Sequence, residues 1–401
     1  MKKLMFFAIA AAGLLTSCTS DENFESEVSP LGQETVDDRV PIEIGIGKAA
    51  SVKTRGTGTV GGLKDSIWNK QIVNVFMFNK NTLNLTHTDA NDPTPLYRDV
   101  EFYTPDGVHT NRAIDVTKAI KYYPTTGRFD FWGYRIDDAE RLDTIHGINN
   151  PKSTRATLDF KIDGSQDVMV AHAIADTSTT IGKRAFSAYS ARNGVQPELT
   201  FKHLLSRLTF KIIAGNNDAM DPTTGIFVDS ISIKSKSTGK LTIAYTPEDA
   251  LAKIENADTL IAKYIEWNDT VAKKELFLKQ RAAHAPGVRN DSLDLVKLVS
   301  IQPNSTTVGL PVGEALLVAP DASYDILVYM HQYKPTVEGG QNIIRKVFTA
   351  PDVVKLESGS FKPGYSYEVQ IKLFGLSPIE ITTTLKGWQD GGQISITPED
   401  N

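Results

Sequence analysis

Short runs in which apolar and polar side chains alternate recur along most of this chain, each closed by a turn residue. This recurrence constrains the fold more than any other feature. Residues 156–162 (ATLDFKI), 167–173 (DVMVAHA), 227–234 (FVDSISIK), 240–245 (KLTIAY) and 365–373 (YSYEVQIKL) all show a period of two. That period puts successive side chains on opposite faces of a strand. Residues 72–78 (IVNVFMF) are nearly all apolar and predict a buried strand, and residues 128–134 (RFDFWGY) place Phe129 and Phe131 on one face, Asp130 and Trp132 on the other. Further strands are predicted around 96–103, at 198–213, 308–319, 324–329, 345–350 and 379–385, and at the terminal 394–396. The 29 Gly and 19 Pro are spread out rather than bunched, as many tight turns require. Many short strands with such turns predict an all-β protein built of sandwiches, with little helix.

Some connections can be read as well. Residues 227–234 and 240–245 read as a hairpin around a 237–239 turn. Thr246-Pro247-Glu248-Asp249 reads as the start of a short helix running to about 254, with Thr246 as its cap, Pro in the first turn and acids near the N-terminal dipole. Residues 260–267 and 271–279 read as strands paired across Asn268-Asp269. A length of 401 residues favours two domains, with the boundary placed at His203 and Leu204. The predicted division is 1–17 signal, 18–39 acidic tether, 40–203 N-terminal domain and 204–401 C-terminal domain.

The stretch 40–55 (VPIEIGIGKAASVKTR) stands apart. Ile42, Ile44 and Ile46 alternate with Glu43, Gly45 and Gly47, the pattern of a half-buried strand. A basic tail follows and ends at Arg55, and residues 56–62 (GTGTVGG) form a glycine-rich break. An acidic, polar leader precedes it. An apolar strand tied loosely at both ends can fill a groove in its own domain and later leave it.

The N-terminus reads as a secretory signal. Lys2 and Lys3 precede an apolar run over residues 4–15, too short for the roughly 20 residues of a membrane-spanning helix. The run ends at Leu15-Thr16-Ser17-Cys18, which resembles the bacterial lipobox, with Cys18 as the lipid-bearing residue. Cys18 is the single cysteine, so no internal disulfide is available. The alternative is an ordinary signal that happens to contain a cysteine. Residues 19–27 (TSDENFESE) cannot pack a core. They resemble the acidic export tag of surface lipoproteins in gut-type Gram-negative bacteria; the alternative is a plain tether on a lipoprotein facing inward.

Chemical motifs are sparse. The net charge of −5 gives no basic surface for nucleic acid. Gly56-x-Gly58-x-x-Gly61 matches the dinucleotide fingerprint by letter only, because no helix pattern opens on it. The seven histidines lack metal-ligand spacing, and His203, between Phe201 and Leu204, reads as a buried, hydrogen-bonded core residue. No Gly-x-Ser-x-Gly elbow occurs. No catalytic residue, metal or cofactor is assigned. Six Asp-[Ser/Thr]-aliphatic triplets place hydroxyls at Ser66, Thr144, Ser230, Thr259, Thr270 and Ser292. They resemble an O-glycosylation signal of the same bacterial group; the alternative is a turn entering a strand.

Taken in order, several of these stretches resemble the fimbrillin family, the lipoprotein precursors of type V pili. They are Cys18 in its lipobox, Lys53-Thr54-Arg55-Gly56, Tyr122-Tyr123-Pro124 with residues 129–134, Asp167-Val168-Met169, residues 199–210 (LTFKHLLSRLTF), and Phe361-x-Pro363-Gly364-x-x-Tyr367 leading to Trp388. The resemblance implies two tandem transthyretin-like Greek-key β-sandwich domains, a lipid at Cys18, and a cut after Arg55 by an Arg-specific surface protease. It further implies that the strand carrying Ile42, Ile44 and Ile46 is removed, and that a strand from another pilus subunit takes its place. The expected setting is the cell outer membrane surface, then the fimbrium, with a host or bacterial surface ligand that is not specified. Two other readings remain open at this point. One is a non-polymerising surface lipoprotein that binds glycans, with Phe129, Phe131, Trp132 and Tyr134 as candidate platform residues, half of which the alternation makes core residues. The other is a hydrolase on a β-sandwich, for which the sequence carries no paired-carboxylate or triad signature.

Overall fold

A computed structural model of the chain describes residues 39–46, 72–86, 96–103, 114–115, 121–137, 140–141, 145–175, 186–281, 295–336, 339–376 and 379–386. Cys18, Arg55, the glycine-rich 56–62 stretch, Trp388 and the 394–396 strand therefore lie outside the described residues. Within the described residues the protein is all-β, with two short α-helices, Ala188–Arg192 and Ala257–Lys263.

The N-terminal half is organised on a six-stranded sheet. Its order is Lys202–His203, Val168–His172, Phe129–Ile136, Ile72–Asn79, Val100–Tyr103 and Ile114–Asp115. This sheet is buried on both faces. Along Ile72–Asn79, Val73, Val75 and Met77 enter one core, while Phe76 and Phe78 enter another. That explains why the sequence there is almost continuously apolar. A second sheet covers the second face, in the order Ile265–Trp267, Thr238–Tyr245, Arg155–Lys161 and Glu140–Arg141.

The C-terminal half is a sandwich of two four-stranded sheets. One runs Leu310–Val318, Ser206–Ala214, Ser366–Leu373 and Ile379–Lys386; the other runs Lys274–Phe277, Ile226–Ser235, Ser323–Pro335 and Gln341–Lys355. Leu208, Phe210 and Ile212 face Ile226, Val228, Ile231 and Ile233 across its core. A bulge between Val228 and Ser230 moves the inward positions from even to odd numbers, so both pairs of apolar residues stay inside.

Three sequence expectations are corrected. Residues 227–234 and 240–245 do not form a hairpin. Ile226–Ser235 pairs with Lys274–Phe277 and Ser323–Pro335, whereas Thr238–Tyr245 pairs with Arg155–Lys161 and Ile265–Trp267. Their apolar faces belong to different cores, Ile231 and Ile233 to one, Leu241 and Ile243 to the other. Residues 260–267 and 271–279 do not pair either. Asn256 caps a helix over Ala257–Lys263 by accepting from the Thr259 N–H, with Asp258 in the first turn and Lys263 in the last. Finally, a cut at 203/204 does not separate two self-contained sheets, because residues 238–267 return to cover the N-terminal sheet. The helix predicted from a Thr246 cap starts later: it is a 3₁₀ turn over Ala250–Lys253, capped by Asp249, which accepts from the Leu251 N–H.

Asp249 also fastens the returning segment. Arg155 donates to both its carboxylate oxygens at 3.1 and 2.7 Å, Thr154 Oγ1 donates at 2.8 Å, and the Leu251 N–H donates at 2.8 Å. Burial disfavours the charged carboxylate, but these donors outweigh it and hold Asp249 below the usual aspartate range. A lowered folded-state value means that the stabilisation is complete above the unfolded-chain value. It is lost as pH falls through the folded one. Asp249→Asn should cost about 1–3 kcal/mol at neutral pH. The cost should shrink on acidification, read as the urea midpoint of mutant and wild type at pH 7 and pH 3.

Candidate functional site

The N-terminal segment 39–46 lies in a groove on the face of the six-stranded sheet opposite the second sheet. Val40 and Ile44 are buried, Ile44 to 1% exposure, and Ile42 is packed against the same core. Their neighbours there include Val73, Val75, Met77, Phe102, Phe131 and Leu199. The alternation read in the sequence is therefore used: residues 40, 42 and 44 form the inward face. The Ile46 backbone pairs with Leu199, and its side chain lies outside the described residues.

Both edges of the segment are engaged. On one side it runs antiparallel to residues 121–123, with the Ile42 N–H donating to Lys121 O and the Tyr123 N–H to Val40 O, each at 2.9 Å. On the other, Gly45–Ile46 runs parallel to Glu198–Leu199, and the Gly45 N–H donates to Pro197 O at 2.8 Å. The Arg39 guanidinium sits 4.3 Å above the Tyr122 ring. Tyr123 is buried beside Phe129 and Phe131, and burial, then Tyr97, pushes its phenol well above the ordinary tyrosine range. It is therefore a neutral donor, and its hydroxyl meets Gln196 Oε1 at 3.2 Å.

The floor of the groove depends on Gly133. A Cβ there would come within 3.0 Å of both Leu199 Cδ1 and Phe201 Cζ. The missing side chain lets the 198–201 wall lie flat on the sheet. Gly133→Val should destabilise the fold by about 1–3 kcal/mol through overpacking. Amide exchange at Gly45 should rise more than at Tyr324 in the distant C-terminal core.

The sequence pointed to this strand and to Tyr122-Tyr123-Pro124. It gave no signal for Gln196, Leu199 or Gly133 as parts of the groove, because their roles depend on segments far away in the chain, up to 155 residues for Gln196. Cys18, Arg55, Ser66, Thr144 and Ser292 lie outside the described residues. Thr259 and Thr270 are exposed and Ser230 is half-buried. Thr259 Oγ1 and Thr270 Oγ1 each donate to an asparagine carbonyl, Asn256 at 3.1 Å and Asn268 at 2.6 Å.

The aromatic platform is overturned. Phe129, Phe131 and Tyr134 are fully buried and Trp132 nearly so, because both faces of their strand are covered. Trp132 stacks on His172 with ring centroids 3.7 Å apart. Burial lowers the His172 value to about 4, with smaller charge effects from Asp130, Lys80 and Lys202, so the imidazole is neutral at pH 7. No sugar can reach these rings.

His203 is buried and its Nδ1 lies 2.7 Å from Asp167 Oδ2, as the sequence reading of a core histidine requires. A Ser/Asp/His group does occur at Ser300, Asp229 and His331, but its order is wrong for a catalytic triad. Ser300 Oγ at 2.5 Å and His331 Nδ1 at 2.7 Å both meet Asp229 Oδ1. The carboxylate stands between hydroxyl and imidazole, whereas a triad needs the imidazole in the middle. Among the described residues no group of three or more His, Cys, Asp or Glu is placed to hold a metal ion, and no helix is long and apolar enough to cross a membrane.

No protein-family model matches the chain, and no curated protein matches it. Solved structures do show likeness. A fimbrial protein from Bacteroides vulgatus has a TM-score of 0.46 at 12% identity, over 87% of this chain and 100% of its own. A candidate cell adhesion protein from Bacteroides uniformis has a TM-score of 0.44 at 17% identity, over 89% of this chain and 100% of its own. The fimbrial anchor protein Mfa2 from Porphyromonas gingivalis has a TM-score of 0.33 at 10% identity, over 87% of this chain and 98% of its own.

Proposed function

We propose that the chain is the precursor of a non-enzymatic fimbrial subunit, held at the outer membrane surface by a lipid on Cys18 and activated by a cut after Arg55. The observation that carries this reading is the seating of residues 39–46. An apolar segment at the N-terminal end of the domain fills a groove between two walls distant in sequence, residues 121–123 and 196–199. Its departure would leave Lys121 O, the Tyr123 N–H and Pro197 O without their partners, beside an open apolar floor. Such an edge is a template for strand addition. A strand from another subunit, alternating as Val40, Ile42 and Ile44 do, satisfies the same groups and buries the same floor.

Arg55 follows the segment by nine residues, and no other arginine occurs between it and the first core strand, Ile72–Asn79. The motif resemblance to fimbrillins supplies the lipid, the protease and the pilus partners. Division into two transthyretin-like sandwiches belongs to the same reading, amended by the return of residues 238–267 to the N-terminal sheet. The test is to treat the purified precursor with an arginine-specific protease. SDS-resistant oligomers and a new N-terminus at Gly56 are the expected products; a chain that stays monomeric after losing the segment refutes the reading. In cells, Cys18→Ala should abolish labelling by a palmitate analogue and release the protein from the membrane fraction.

A further inference from the structure

The groove holds its strand by two unlike edges. Toward residues 121–123 the contacts are backbone to backbone. Toward residues 196–199 they become so only at Gly45. The register of Gly45 with Glu198 would aim the Val195 N–H at Pro41 O, but that N–H is committed elsewhere. The Gly194 and Val195 N–H groups close the helix Ala188–Arg192, donating to Ala191 O at 3.0 Å and Ser190 O at 2.9 Å. The Gln196 side chain takes the place of that backbone. Its Oε1 accepts from the Glu43 N–H at 3.2 Å, and its Nε2 donates to Pro41 O at 3.1 Å. The Tyr123 hydroxyl, 3.2 Å away, also donates to Oε1, while the Glu43 N–H, which can only donate, and Pro41 O, which can only accept, fix which end of the amide faces each.

We infer that Gln196 is a register clamp, and that the partner strand entering this groove is selected by backbone as well as side chain. The inference rests on the exchange reading given above, which it deepens. The resident segment shows the rule. N–H groups at the positions of Ile42, Glu43 and Gly45 all donate, whereas the position of Pro41 is used only through its carbonyl. Proline is tolerated there for that reason. A slip by one residue turns residues 41, 43 and 45 inward and is rejected by the apolar floor. A slip by two residues preserves the apolar alternation. In one direction, however, it brings Pro41 opposite Gln196 Oε1 with no N–H to offer. The groove therefore takes an extended peptide with apolar side chains at the positions of Val40, Ile42 and Ile44. Proline is excluded at the positions of Ile42, Glu43 and Gly45.

Residue-resolved hydrogen exchange on the intact chain tests the clamp without strand exchange. Gln196→Met keeps the length and removes the hydrogen bonds to Glu43, Pro41 and Tyr123 at a half-buried position, so the fold should persist. The Glu43 amide should then exchange about tenfold faster, a larger change than at Tyr123. Gln196→Glu keeps the acceptor and should give a smaller rise. Equal Glu43 rates in wild type and Gln196→Met overturn the clamp. A second arm offers the protease-treated protein a synthetic peptide of residues 39–46, or the same peptide N-methylated at Glu43. Wild type should retain the methylated peptide at least tenfold less, and Gln196→Met should not discriminate. Equal retention by wild type overturns the clamp. If neither peptide enters while the exchange difference stands, the strand-exchange reading falls and the clamp on the resident strand remains.

Discussion

An Arg55→Ala chain stays monomeric when treated with an arginine-specific protease, under conditions in which wild type is converted largely to SDS-resistant oligomers. The expectation follows from where cuts can act. Arg39 is the first residue of the segment, and its guanidinium lies over Tyr122; cleavage after it leaves residues 40–46 joined to the domain. Arg98 lies beyond Ile72–Asn79, so cleavage there leaves that core strand attached to the segment. Only Arg55 separates residues 39–46 from the domain. Before the cut, covalent linkage keeps the segment at a high effective concentration beside its groove. Val40, Ile42 and Ile44 add about 1.5–3 kcal/mol each where fully buried, and the backbone bonds add about 0.5–1.5 kcal/mol each. After the cut those contacts are unchanged, but a released segment is diluted, and a partner strand making the same contacts competes. Size-exclusion chromatography and N-terminal sequencing read the outcome. Oligomers from Arg55→Ala, or a wild-type product whose N-terminus is not Gly56, would sink this assignment.

Ile44→Asp should have the opposite effect and open the groove without a cut. Ile44 is 1% exposed and sits in the same core as Val73, Val75 and Phe131. A carboxylate has no partner in that apolar core, and burying it costs several kcal/mol, so the segment leaves rather than carry the charge inside. Deleting the buried isoleucine alone, as Ile44→Ala, costs about 2–5 kcal/mol. In Ile44→Asp the amides of Tyr123 and Gly45 should lose exchange protection, because their acceptors Val40 O and Pro197 O lie across the segment's edges. The C-terminal core around Phe210 and Ile326 should keep its protection. The uncut mutant should also bind an added peptide of residues 39–46 that uncut wild type refuses. Unchanged protection at Tyr123 would show that the segment does not depend on Ile44 for its place.

The two mutants probe features of different visibility. The alternation of Ile42, Ile44 and Ile46 is a local pattern, and so is its placement before Arg55. Most strands were legible for the same reason: Ile72–Asn79, Phe129–Ile136, Arg155–Lys161 and Ser366–Leu373 each carry their own periodicity or apolar run. Sequence thus determined that the chain is all-β, where most strands lie, and that its first apolar strand is set apart from the rest.

It did not determine which strands meet. Thr238–Tyr245 has the same alternation whether it returns on Ile226–Ser235 or crosses to Arg155–Lys161. Only the space left on the second face of the N-terminal sheet decides between them. That covered face also turned Trp132 and Tyr134 from a surface platform into core, since a period of two reports that faces differ, not that one is wet. The short helix over Ala257–Lys263 was hidden because Leu260 and Ile261 supply apolar contacts in either conformation, and a single Asn256 cap tips the choice. The groove is wholly a tertiary product. Gln196 lies 155 residues from Pro41, and its amide supplies the donor to Pro41 O where the helix before it has claimed the Val195 N–H.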